Sequence, residues 1–129
     1  VKFYNDSIST IPQATIAAVK TIGDINYLLL GGLDRGIDYE PLISFLKDNV
    51  VENVLVTGKA GMLIKEMLKN VNYSGNVFDY DDMESAFDIL RKMSVPGDLC
   101  LLSPAAASYD RYKNFEERGS VFKELAKKF

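Results

Sequence analysis

Leu99-Cys100-Leu101-Leu102-Ser103-Pro104-Ala105-Ala106-Ala107-Ser108-Tyr109-Asp110-Arg111-Tyr112-Lys113-Asn114-Phe115-Glu116-Glu117-Arg118-Gly119 decides the fold of this chain. Its first four residues form a short, continuously apolar run, the pattern of a strand buried on both faces of a parallel sheet. The next residues are small or carry hydroxyls, so the backbone can turn closely around a bound anion. Two earlier stretches, Asn5-Asp6-Ser7-Ile8-Ser9-Thr10 and Gly31-Gly32-Leu33-Asp34-Arg35-Gly36, each follow an apolar run in the same way. In an open α/β sheet such strand ends lie side by side and form the ligand crevice.

The rest of the chain continues the alternation. Strands are expected at Lys2–Tyr4, Tyr27–Leu30, Val54–Val56, Val77–Phe78 and Leu99–Leu102. Helical patterns fall at about Pro12–Ile22, Tyr39–Asn49, Ala60–Asn70, Met83–Met93 and Phe115–Lys128. This βαβα order predicts an α/β, Rossmann-like fold: a mainly parallel sheet with helices on both faces, in one domain spanning 1–129. Thr10 is the expected N-cap of the first helix, with Pro12 in its first turn. Asp81 or Asp82 is expected to cap the Met83 helix, with Glu84 adding negative charge to that turn. Pro96-Gly97-Asp98 reads as the turn before the fifth strand. Phe115, Phe122, Leu125 and Ala126 recur at helical spacing and read as core packing.

Composition excludes several classes of function. A net charge of −3 with scattered Lys and Arg argues against a nucleic-acid surface. No apolar run approaches the roughly 20 residues that span a bilayer. With no histidine, the chain has no His-based triad or histidine metal site. The single Cys100 cannot form an internal disulfide; it suits a reducing cytoplasm and reads as a small core residue. The start at Val1-Lys2-Phe3-Tyr4 has neither a Met nor a signal peptide, which suggests a piece cut from a longer protein.

Each polar segment admits a plain reading and a functional one. Asn5 to Thr10 is either a capped turn or an anion site at a helix N-terminus. Gly31 to Gly36 is either a tight strand-to-helix turn or a loop presenting Arg35, whose fork matches a carboxylate. Asp34 would orient Arg35 or cap the loop. Ser108 has no His or Lys partner and is not a nucleophile. Lys113, Asn114, Glu116, Glu117 and Arg118 are expected to form a structural network closing the last loop. Gly58-Lys59 lacks the rest of a phosphate-binding P-loop, and no paired carboxylates suit Mg²⁺.

All three segments resemble the C-terminal domain of the Mur ligases, in particular the branch that adds D-glutamate to UDP-MurNAc-L-alanine. The family pattern joins N-D-S-x-x-T, an Ala-rich helix, L-x-x-G-G and L-S-P-A-x-A-S-[FY]-D-x-[FY]-x-N-F-E-x-R-G-x-x-F. The chain carries the whole last pattern, including Phe122, and the resemblance runs from Val1 to Phe129. It implies that Thr10, Arg35, Ser108, Tyr109 and Phe115 bind D-glutamate, Phe115 through its backbone N–H. It also implies that Asp6 faces the nucleotide ribose.

Catalytic residues and a metal site are expected in none of this chain. ATP, Mg²⁺ and UDP-MurNAc-L-alanine would be held by a central ATPase domain and an N-terminal UDP-binding domain, both absent from it. The isolated chain is then expected to be an inactive, cytoplasmic monomer, with no nucleic-acid or membrane partner. Ile8 departs from the family, which carries Lys there; either the missing domains supply that cation or the branch is divergent. Two alternatives are a related ligase for another amino acid, of the folylpolyglutamate type, and a stand-alone module binding an anion or a protein partner.

Overall fold

In the computed structural model, which describes residues 1–129, the apolar runs form one five-stranded parallel sheet. Its strands are β1 (Lys2–Asn5), β2 (Tyr27–Gly31), β3 (Asn53–Thr57), β4 (Asn76–Asp79) and β5 (Leu99–Leu102). The helices are α1 (Pro12–Ile22), α2 (Glu40–Asp48), α3 (Gly58–Asn70), α4 (Met83–Met93) and α5 (Phe115–Lys127). Every element expected from sequence is present, displaced at most by two residues at an end.

The strand order is β1-β5-β2-β3-β4, with β5 inserted between the first two strands. Lys2 pairs with Leu99 on one side of β5, and Tyr27 with Cys100 on the other. From β1 to β4 the chain crosses the sheet in one direction with α1, α2 and α3 on one face. It returns to β5 through α4 on the other face, as right-handed crossovers require.

Side-chain alternation along the strands divides the core between these faces. Leu28, Leu30, Val54, Val56 and Leu101 pack against Val19, Leu42, Leu46, Ile64 and Leu68 from the first three helices. Tyr27, Leu29, Leu55, Cys100 and Leu102 pack against Met83, Phe87 and Leu90 of α4 and Phe122 of α5. Both faces are covered, which explains why the central strands read as unbroken apolar runs. Cys100 is fully buried, and burial pushes its thiol pKa up, so it stays a neutral packing residue. Phe122 is buried, while Leu125 and Ala126 pack at the margin of the same cluster; Phe115 lies outside it.

Two local details refine the expectations. Ile11, not Thr10, is the N-cap of α1, with φ −133° and ψ 153° and no side-chain cap. Pro12 takes the first helical position, and its ring forces the preceding residue into extended backbone, so the cap lies one residue later. Asp82 caps α4 in a reciprocal box: its carboxylate accepts from the Ser85 N–H at 2.8 Å, and the Ser85 hydroxyl accepts from the Asp82 N–H at 3.1 Å.

The hydrogen bond from the Ser85 N–H is the main cause that holds the Asp82 carboxyl below its usual range. A lowered folded-state value gives stability that is present above the unfolded Asp pKa of about 3.9 and lost as pH falls through the folded one. Asp82→Ala should therefore melt below the wild type at neutral pH, and the gap should close in acid. Melting temperatures followed from neutral pH into acid check this.

Candidate functional site

The loops after β1, β5 and β2 leave neighbouring strands at the same, C-terminal end of the sheet. The chain after β5 leads to α5 on one face, whereas the chains after β1 and β2 lead to α1 and α2 on the other. Diverging connections of this kind open the crevice where α/β folds bind ligands.

The loop after β5 is the central wall and is bonded to both neighbours. The Ala105 N–H donates to the Ser9 carbonyl at 3.0 Å. The Gly31 and Leu33 N–H groups donate to the Pro104 and Ala107 carbonyls at 2.8 and 2.9 Å. Ala105, Ala106 and Ala107 are buried, and Ala105 holds a positive φ of 58°, uncommon for a residue with a side chain. Small side chains are needed here because three backbones meet. A Cβ on Gly32, whose φ is +146°, would stand 2.4 Å from the Ala107 carbonyl oxygen.

Asp6 joins the first loop to the central one. Its N–H donates to the Leu102 carbonyl at 2.8 Å, and its Oδ2 accepts from the Ser9 and Ser103 hydroxyls at 2.5 and 2.7 Å. One carboxylate oxygen therefore builds the loop, and Oδ1 remains for another donor. Ser103 is further fixed by Thr15 of α1, whose hydroxyl donates to the Ser103 carbonyl at 3.0 Å. Thr10 is half-buried beside this junction, and Ile8 is 64% exposed between the buried Ser7 and Ser9.

Arg35 is exposed and forms no ion pair. Of the two roles open to Asp34, the structure shows loop capping: its Oδ1 accepts from the Gly36 N–H at 3.0 Å. Ser108 is only 2% exposed, and its carbonyl accepts from the Arg111 and Tyr112 N–H groups. Tyr109 projects from the same turn at 63% exposure. Phe115, the first residue of α5, has no intrahelical acceptor for its N–H, and its carbonyl accepts from the Ser7 hydroxyl at 2.6 Å.

The expected loop-closing network divides in two. Asn114 caps α5 by accepting from the Glu117 N–H at 2.9 Å, while the Glu117 carboxylate accepts from the Lys113 N–H at 3.2 Å. Arg118 instead reaches across the molecule. It donates through Nε to the Ser7 hydroxyl at 2.9 Å, through Nη2 to the Ser7 carbonyl at 2.8 Å and through Nη1 to the Ala106 carbonyl at 3.0 Å. Gly119 lets α5 approach this closely, since a Cβ there would stand 2.8 Å from the Asn5 side chain. Arg118 thus clamps two walls of the crevice. The R-G pair in the sequence signals the close helix approach but not its farther target, Ser7, more than a hundred residues away.

Two concavities lie elsewhere. A groove of about 980 Å³ runs between α3 and the edge strand β4, crossed by a 2.7 Å ion pair between Lys65 and Asp79. A cavity of about 20 Å³ sits behind Gly31, Gly32 and Arg118. Asp6, Thr10, Arg35, Ser108, Tyr109 and Phe115 line neither. These residues instead share the open ends of β1, β5 and β2 and the start of α5. No group of three or more Asp, Glu, Cys or His is placed to hold a metal ion. The crevice thus offers hydroxyls, a helix N-terminus and an exposed guanidinium, a set suited to holding an anionic ligand in orientation.

No family model matches the chain. It is 39% identical over 125 residues to a UDP-N-acetylmuramoylalanine--D-glutamate ligase of Symbiobacterium thermophilum, covering 97% of this chain and 27% of that protein. It is 40% identical over 121 residues to the ligase of the same name from Listeria innocua, covering 94% of this chain and 26% of that protein. The chain thus spans about a quarter of the length of these curated relatives. Among solved structures, Mycobacterium tuberculosis folylpolyglutamate synthase complexed with ADP superposes with a TM-score of 0.54 over 90% of this chain and 28% of its own. At 14% identity that match speaks for the fold alone. Similarity to one kind of ligase along nearly the whole chain, on a parallel sheet with its three motif loops at one end, shows that this chain belongs to the Mur ligase family.

Proposed function

We propose that this chain is the C-terminal, amino-acid-binding and closure domain of an ATP-dependent ligase that adds D-glutamate to UDP-MurNAc-L-alanine in cytoplasmic peptidoglycan precursor synthesis. One observation carries the reading: the segment that matches the ligase pattern, Ser103–Gly119, forms the central wall of a crevice whose other walls are the two remaining matched segments. Thr10, Arg35, Ser108, Tyr109 and the Phe115 N–H hold D-glutamate, and the free Oδ1 of Asp6 accepts a nucleotide ribose hydroxyl. UDP-binding and central ATPase domains outside this chain hold the other substrates and Mg²⁺.

In the ligase, ATP supplies the phosphoryl group that activates the carboxyl of UDP-MurNAc-L-alanine. The residues of this chain then work by position. Arg35 pairs with a D-glutamate carboxylate, Ser108 and Phe115 fix it, and the amine is presented to the activated carbonyl. Orientation of this kind lowers barriers by several kcal/mol, and closure keeps water from a hydrolysable intermediate. The chain alone, with no phosphate-binding loop, is an inactive monomer that binds D-glutamate weakly.

Arg35→Ala tests the assignment. Arg35 is exposed in a loop already capped by Asp34, so truncation leaves the fold intact while removing a cation. Loss of a charge-assisted hydrogen bond costs about 1.5–3 kcal/mol, hence about a ten- to hundredfold fall in kcat/KM for D-glutamate in the full ligase. Unchanged kinetics would remove Arg35 from the site. Turnover of another amino acid in place of D-glutamate would favour the folylpolyglutamate-type alternative.

A further inference from the structure

Arg118 carries a charge that no contact neutralises. Arg118 is only 4% exposed, and no ion pair reaches it. Three of its five N–H groups go to Ser7 and Ala106, which leaves one on each terminal nitrogen. Two phenols lie nearby: Tyr80, buried just past β4, and Tyr112, half-buried. Neither hydroxyl is hydrogen-bonded to the protein. Asp110 completes the group, its Oδ2 lying 2.9 Å from the point where a Cβ on Gly58 would stand.

Arg118, Tyr80, Tyr112 and Asp110 all line the cavity of about 20 Å³. That volume holds about one water, and the lining offers more than the two polar partners a buried water needs. The charges agree. Burial disfavours the Arg118 cation, whereas Tyr80, Asp110 and Tyr112 support it. Burial likewise suppresses ionisation of Tyr80, and Arg118 opposes that effect.

We propose that Tyr80 and Asp110 are positioning residues for the amino-acid crevice, acting through a water-bridged contact with the Arg118 guanidinium. The guanidinium grips Ser7 after β1 and Ala106 after β5, so its orientation sets the spacing of two walls. Asp110 lies in the turn that the Arg111 and Tyr112 N–H groups close onto the Ser108 carbonyl. The same contact therefore bears on the turn that carries Ser108. Tyr80 stands outside every motif of the crevice but shares the small cavity with Arg118.

Tyr80→Phe and Asp110→Asn keep shape while deleting a hydroxyl and a charge. In the 129-residue chain, amide hydrogen exchange at Leu33, Arg111 and Tyr112 should speed up about tenfold in either variant, the loss of about one hydrogen bond. Exchange at Ile43 of α2 and at Asn49, its C-cap, should stay unchanged. The double variant should exchange no faster than the quicker single one, because both act through one guanidinium. The kinetic arm rests on the ligase reading: in the full enzyme each variant should raise KM for D-glutamate about three- to tenfold, with kcat and KM for ATP within about twofold.

Unchanged exchange at all three loop amides overturns the proposal, as does equal acceleration in α2. Altered exchange with an unaltered KM overturns the positioning role. The expected exchange pattern in an enzyme that does not use D-glutamate would uphold the Arg118 linkage and defeat only the ligase reading.

Discussion

Replacing Arg118 by methionine should destabilise the chain by about 3–5 kcal/mol. Methionine fills much of the same volume, so cavity formation is a minor part of that loss. The main part is polar. The Ser7 and Ala106 carbonyls lose their donors inside the protein, and an unsatisfied buried acceptor costs about 1–3 kcal/mol. Relief of the guanidinium's own desolvation offsets part of this. Against a total stability of about 5–15 kcal/mol, the remainder is large enough to shift a urea midpoint well beyond error. Arg118→Lys should recover part of the loss, since an ammonium keeps the charge but cannot reach three acceptors in one plane. A methionine variant as stable as the wild type would show that the clamp is not needed for folding.

Gly32→Ala should cost about 3–4 kcal/mol, from a single methyl group. At φ +146° an L side chain is strained, and its Cβ would stand 2.4 Å from the Ala107 carbonyl oxygen. Relief of that overlap breaks the bond from the Leu33 N–H to the same carbonyl and separates the second loop from the central one. Gly36→Ala is the control. Gly36 also has a positive φ, +73°, but nothing lies within 4 Å of its would-be Cβ, so only the backbone penalty of about 1–2 kcal/mol applies. Equal melting temperatures for the two variants would show that the close approach at Gly32 yields freely.

The contrast between these glycines also marks what the sequence discloses. Gly31-Gly32 announces a tight loop, but only the packed structure tells Gly32, pressed against Ala107, from Gly36, which faces solvent. Strands and helices are legible because their signals are local: unbroken apolar runs, Pro12 at a helix start, Asp82 before Met83. The three-loop crevice is legible for the same reason, each loop closing an apolar run. The α1 cap is misread because Thr10 has the favoured side chain, whereas Pro12 fixes the position by sterics. Arg118 reads as one polar residue among five in a surface-like stretch. Its partners, Ser7 and Ala106, become neighbours only once α5 has docked across the sheet.

The insertion of β5 between β1 and β2 has a consequence for how the chain reaches its native state. β1 pairs with β5 alone, and ninety-seven positions separate Lys2 from its partner Leu99. During synthesis the first strand made has nothing to join until the last one has emerged. The β2–β3–β4 unit with α2 and α3 can form earlier, from contacts much nearer in sequence. Closing so long a loop late is entropically costly and slow. It also means that the crevice, whose walls follow β1, β5 and β2, comes into being in the step that completes the sheet, so a partly folded chain has no half-built site with which to trap a ligand.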